Sequence, residues 1–204
     1  MTDNLIITIG RQCGSGGRYI GEQLAKELGI SCYDEKLMDM VAKASGFATE
    51  FIEDKGEHMT GSLLFNIASS LSYASNVFYG NGMTIQDEVY LIQNRIIKEL
   101  AEKEPCVIVG RCADYVLRDR NDCLNVFIHA DEEDKIDRAI HSYGMPEKEA
   151  ASILKKTDKA RYNHYKYYTD REWGMSDNYD VCLNSSMFGI EGCVKIIKDI
   201  VEMD

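Results

Sequence analysis

The chain has 204 residues, 45% hydrophobic and 28% charged, which suffices for one buried core without metal or disulfide staples and excludes a disordered chain. Lys and Arg number 23 against 34 Asp and Glu, a formal net charge of −11. That balance excludes broad binding to a nucleic-acid polymer, whose phosphates it repels, yet leaves room for a small anion held by a few converging arginines.

Leu5-Ile6-Ile7-Thr8-Ile9 is a continuous, largely β-branched run and predicts a strand buried on both faces, as in a parallel sheet. The segment Gly10 to Gly17 follows, with four glycines in eight residues. Tyr19, Ile20, Leu24 and Leu28 then recur at helical spacing, and Gly29 ends that helix. Ile30 to Tyr33 is a second short strand with Asp34 at its end, completing a β–loop–α–β unit. Residues 35–104 read as mostly helical. Their stripes are Leu37, Met38, Val41 and Ala42; then Leu63, Leu64, Ile67, Ala68 and Leu71; then Val89, Ile92, Ile96, Ile97 and Leu100. Gly80-Asn81-Gly82 is a turn before the last of them. This stretch is too long for a plain crossover and predicts an inserted helical subdomain. Its apolar stripes also leave a homo-oligomer open.

Cys106 to Val109 is a third strand, closed by Gly110-Arg111, and Leu124 to Ile128 a fourth. Asp131 opens a helix carrying Ile136, Ala139 and Ile140, and a polar, aromatic helix runs from Pro146 to Tyr168. Tyr179 to Leu183 is a fifth strand, and Ile190, Val194, Ile197 and Val201 mark a closing amphipathic helix. Short apolar strands alternating with helices predict an α/β fold: a five-stranded parallel sheet with helices on both faces, in a single domain over residues 1–204.

The seven cysteines are odd in number and show no C-x-x-C spacing. With no basic leader at Met1 and no apolar run of bilayer length, they read as reduced thiols of a cytoplasmic, membrane-free protein.

The chemistry concentrates in Gly10-Arg11-Gln12-Cys13-Gly14-Ser15-Gly16-Gly17-Arg18, between a strand and a helix. Glycines let the backbone bring its N–H groups close to an anion, and the helix N-terminus adds partial positive charge. Two phosphate-binding patterns compete with a plain βα turn. One is the P-loop, G-x-x-x-x-G-K-[ST], with Gly17 where the lysine stands. The other is the dinucleotide fingerprint G-x-G-x-x-G, with Asp34 at a suitable distance and Tyr19 in the third glycine slot.

The segments Ile6 to Arg18, Val107 to Tyr115, Leu124 to Ile128, Asp158 to Tyr162 and Asn178 to Ser186 resemble, in that order, the cytidylate kinase-like group of P-loop nucleoside-monophosphate kinases. The resemblance spans nearly the whole chain and is weakest over residues 36–86. It implies a P-loop NTPase-like fold, an acceptor-binding helical insertion over 35–104 and a lid over 155–176. The activity it implies is transfer of the ATP γ-phosphoryl group to a nucleoside monophosphate, CMP or dCMP favoured, with ATP and Mg²⁺ bound. The chain departs from that group's pattern at four places: Arg11 stands at the first loop glycine, Gly17 at the lysine, Tyr19 at the threonine, and Cys112 at the aspartate after Gly110-Arg111. Those departures keep a second reading open, a nucleotide-binding regulatory protein without turnover; a Rossmann-like cofactor binder is a third.

Phosphoryl transfer asks a protein to align two phosphates and stabilise moving charge, work that suits arginine. Arg18 is the candidate for the missing lysine's role, or a solvated first-turn arginine. Arg11 holds the loop's shape or touches phosphate. Gly14, Ser15, Gly16 and Gly17 offer backbone, and the Ser15 hydroxyl is a candidate for phosphate or magnesium. Arg111 resembles the arginine that grips the acceptor phosphate, or makes a structural ion pair. Asp34 faces the acceptor or caps a helix. Arg161, with Asp158 and Lys159, is the lid's candidate for meeting the transferring phosphoryl group.

Overall fold

The computed structural model describes residues 5–45 and 85–203. Its strands are β1 (Ile6–Arg11), β2 (Ser31–Tyr33), β3 (Cys106–Val109), β4 (Cys123–His129) and β5 (Val181–Asn184). Its α-helices, among the described residues, are α1 (Gly17–Leu28), α2 (Glu35–Ser45), α3 (Ile85–Lys103), α4 (Ala113–Val116), α5 (Glu132–His141), α6 (Glu147–Thr169) and α7 (Ser185–Val201). The five strands form one sheet in the order β2-β3-β1-β4-β5. β1 pairs parallel with β3 and β4, and β4 with β5. The fold is therefore the α/β parallel sheet with flanking helices that the alternating pattern predicts.

Several predicted edges move. β1 extends past Ile9 because β4 keeps pairing with it through Gly10 and Arg11. Tyr179 falls outside β5 and instead packs its ring on Phe127, centroids 4.9 Å apart. The closing helix begins earlier than its apolar stripe, at Ser185, and kinks at Gly189. The stripe Leu63 to Leu71 and the turn Gly80-Asn81-Gly82 lie outside the described residues.

Chain contacts divide the protein into two compact units, Met1–Cys32 with Lys103–Asp204, and Tyr33–Glu102. In the first, one sheet face presents Ile7, Ile9, Val107, Val109, Val126, Ile128 and Leu183 to Ile20 and Leu24 of α1 and to Val194, Ile197 and Val201 of α7. Every second residue of each strand reaches that face because side chains alternate along a strand. The opposite face carries Phe127, with Trp173 edge-on at 5.4 Å. A satellite core of Ala139, Ala150 and Leu154 joins α5 to α6 and takes in Cys13 from the glycine loop. In the second unit, α2 buries Leu37 and Val41, and α3 buries Ile96, Ile97 and Leu100. No helix among the described residues is long and apolar enough to cross a membrane. All seven cysteines are free thiols.

Candidate phosphate-binding site

The central strand β1 delivers the chain to the glycine loop at the carboxyl edge of the sheet, where open α/β sheets bind ligands. Gln12 still donates its amide to Ile128 O at 3.0 Å. Beyond it the backbone turns, with Gly14 at φ 81° and Gly16 at φ 79°, a region that side-chain-bearing residues avoid. Gly14 also presses on α5, since a Cβ there would fall 2.8 Å from Lys135 O. Gly16 is the N-cap of α1. The first amides of that helix have no intrahelical acceptor and carry its positive partial charge.

The carbonyls of Arg11, Gln12, Gly14, Ser15 and Gly16 are capped. Arg161 donates to Arg11 O at 3.0 Å. The Ser15 hydroxyl and amide donate to Gln12 O at 2.8 and 3.3 Å. Arg138 donates to Gly14 O, Ser185 Oγ to Ser15 O at 2.6 Å, and the Ile20 amide to Gly16 O at 3.0 Å. A turn whose carbonyls are engaged this way has its remaining amides to offer, which suits an oxyanion. One loop amide already holds an anion: Cys13 N donates to Asp158 Oδ1 at 2.6 Å, a charge-assisted bond.

Cations converge on the loop from α5 and α6. Lys135 Nζ reaches Gln12 Oε1 at 3.2 Å, beside the Arg138 contact. Arg161 lies 3.7 Å from Asp158. Burial pushes the Asp158 carboxyl up, opposed first by the Cys13 amide, then by the charges of Arg161, Lys135 and Arg11. Burial likewise raises the Cys13 thiol, against the pull of Arg161. A pocket of about 460 Å³ opens beside Gln12, walled by Phe127, His129, Trp173 and Cys182 among others.

At the end of β3, Gly110, Arg111 and Cys112 take φ of 72°, 62° and 55°. Three successive left-handed residues, two of them not glycine, are uncommon and locally strained. They launch α4, whose Asp114 accepts from the Tyr165 hydroxyl of α6 at 2.6 Å. Burial raises the Asp114 carboxyl, offset first by that bond. His164 is held down to about 4, by burial first and then by the charge of Arg111.

Several predicted residues meet at the loop and others do not. Arg11, Gly14, Ser15, Gly16, Gly17, Asp158 and Arg161 lie in or against it. The Arg18 guanidinium bonds Glu22, one turn along α1, at 2.9 Å. Ser15 is fully buried, and its hydroxyl donates to Gln12 O within the loop. Lys159 is exposed on α6. Asp34 stands half-buried between β2 and α2, in the second unit. Sequence reasoning missed Lys135, Arg138, Gln12 and Ser185. The available signal was Lys135 and Arg138 at i,i+3 on the helix after β4, obscured by the acidic run Asp131 to Asp134.

A glycine loop between the central strand and the first helix, under strand order β2-β3-β1-β4-β5, defines a P-loop kinase type of fold. The chain belongs to the cytidylate kinase-like family, whose model matches residues 6–187. It is 29% identical over 137 residues to the cytidylate kinase of Archaeoglobus fulgidus, covering 60% of this chain and 72% of that protein. Among solved structures, an uncharacterised protein from Eubacterium ventriosum is 28% identical with a TM-score of 0.74, over 98% of this chain and 99% of that one. Shikimate kinase from Bacteroides thetaiotaomicron shares the fold, at 13% identity and a TM-score of 0.54, over 98% of this chain and 99% of that one.

Proposed function

We propose that the protein is a nucleotide kinase that moves the γ-phosphoryl group of ATP to a nucleoside monophosphate, with CMP or dCMP the favoured acceptor. The observation that carries this reading is the glycine loop itself, carbonyls capped and gripped by Lys135, Arg138 and Arg161. Family membership supports the reaction class. In this reading the amides of Gly16, Gly17 and Arg18 hold the donor phosphates, and Arg161 meets the transferring group from α6. Arg111 grips the acceptor phosphate and Asp34 contacts the acceptor, whose binding falls to residues 35–104. Residues within 155–176 act as the lid. Charge stabilisation of this kind is the main contribution a protein makes to phosphoryl transfer.

ATP chemistry of this class uses Mg²⁺. Ser15 is fully buried with its hydroxyl turned to Gln12 O, so its oxygen is not presented to an ion at the loop surface in this structure. No cluster of three His, Cys, Asp or Glu side chains able to hold a metal occurs among the described residues. Bound together with ATP, the ion would be carried by the nucleotide phosphates and would neutralise part of their charge.

A second reading, a nucleotide-binding regulatory protein without turnover, is favoured by one observation: Gly17 stands at the lysine position while Arg18 pairs with Glu22. One experiment separates the two. Purified protein at high concentration is given ATP, Mg²⁺ and each nucleoside monophosphate in turn, with ATP binding measured beside it. ADP formation that depends on CMP or dCMP supports the kinase. Binding without ADP from any acceptor supports the regulatory reading.

A further inference from the structure

The loop has an arginine where its pattern has a glycine, at 11, and a glycine where its pattern has a lysine, at 17. The structure connects these two departures in space. A Cβ built on Gly17 would fall 2.5 Å from Arg11 Cβ and 3.0 Å from Arg11 Cγ. The stem of Arg11 therefore fills the volume where a side chain at 17 would start. That stem runs on to the end of β3, where a Cβ on Gly110 would collide with the Arg11 guanidinium. Gly110, at φ 72°, leaves that space open. The backbone of Arg11 is fixed on both sides: it pairs with Ile128 in β4, and Arg161 holds its carbonyl. Its charge lies close enough to act on Cys13 within the loop and on Asp158 against it. The guanidinium is thus held between the carboxyl ends of β1 and β3, beside the first turn of α1.

We propose that Arg11 and Gly17 form a reciprocal exchange, in which the cation the pattern places at 17 is supplied from position 11 and binds an oxygen of the donor's polyphosphate. The proposal rests on the reading of this loop as a nucleotide-phosphate site. Its chemistry is sound because guanidinium stays charged at every working pH and its planar fork matches two phosphate oxygens. The arrangement also accounts for glycine at both 17 and 110, since a side chain at either would displace the arginine. Arg18, the other basic residue of the loop, is turned to Glu22.

The test titrates inorganic tripolyphosphate and ATP by calorimetry into wild type, Arg11→Met, Gly17→Lys and the double variant Arg11→Gly with Gly17→Lys, with thermal melting of each. Losing one charged, forked contact is expected to weaken Arg11→Met about 10–100-fold. Gly17→Lys alone is expected to melt early or bind poorly, because the two side chains compete for one space. The double variant is expected to regain most of the lost affinity. Wild-type affinity in Arg11→Met would overturn the proposal, as would a folded double variant no tighter than Arg11→Met. If the double variant does not fold, Arg11→Lys decides: it must bind more tightly than Arg11→Met, and equal affinity overturns the exchange. Failure of the phosphate-site reading looks different, because wild type then binds neither tripolyphosphate nor ATP.

Discussion

Replacing Tyr165 by phenylalanine removes one hydroxyl from the contact that fastens α6 to the end of β3. Tyr165 is 3% exposed and Asp114 8%, so water does not readily replace the 2.6 Å bond between them. A hydrogen bond to a charged acceptor is worth about 1.5–3 kcal/mol, and a neutral one about 1 kcal/mol. Asp114 keeps its own amide and that of Tyr115 as donors, which places the expected loss near 2 kcal/mol at alkaline pH. For a domain of this size that lowers Tm by about 4–8 °C. The pH dependence has a definite sign. Burial holds the folded-state pKa of Asp114 above its ordinary value, and the Tyr165 hydroxyl opposes that shift. The stability Asp114 contributes is complete below its unfolded pKa and is lost as pH rises through the folded one. Without Tyr165 the folded pKa climbs further and the loss on the alkaline side deepens. Urea unfolding of wild type and Tyr165→Phe across pH 4–8 should show a difference of about 1 kcal/mol in acid growing to about 2 kcal/mol. A difference below about 0.5 kcal/mol, or one flat with pH, would mean that the Tyr165 hydroxyl does not stabilise the buried Asp114 carboxylate.

His164 supplies a second pH signal of opposite sign. Its folded pKa of about 4 lies below the ordinary 6.5, so the stability it contributes is present above 6.5 and lost as pH falls toward 4. His164→Gln should flatten that acid limb in urea titrations, and an unchanged limb would contradict the assignment. Asp158→Ala should free the Cys13 amide, raising its hydrogen-exchange rate about tenfold or more while distant strands stay protected. Unchanged protection would mean that the carboxylate does not hold the loop. Arg18→Ala removes an ion pair whose side chains are 41% and 44% exposed, so unfolding free energy should change by less than about 1 kcal/mol. Tripolyphosphate affinity should barely move; a loss as large as that of Arg11→Met would return the lysine's role to Arg18.

The frame of the fold was legible because the strands near the sheet centre are continuous apolar runs. Ile6 to Ile9 and Cys106 to Val109 are buried on both faces, and such runs look alike whatever lies beside them. The loop was legible for a related reason: glycines at 14 and 16 meet a backbone requirement that few other residues satisfy. The cations around it were harder to read. Arg18 sits at the helix start, where proximity in sequence favours a phosphate contact, and its guanidinium also pairs with Glu22 one turn later. Lys135 and Arg138 belong to a helix that opens with Glu132, Glu133 and Asp134, and nothing local says that its basic face meets the loop. The bond from the Cys13 amide to Asp158 joins residues 145 positions apart. Contacts of that range depend on how the α5–α6 pair docks, which propensity and periodicity do not encode.

A crystal structure of the protein with ADP tests whether the glycine loop holds phosphate with Arg11 as its cation. The β-phosphate is expected on the first-turn amides of α1, with the Arg11 guanidinium in hydrogen-bond contact with a phosphate oxygen. Nucleotide bound away from these amides, or phosphate held by Arg18 with Arg11 turned aside, would contradict it.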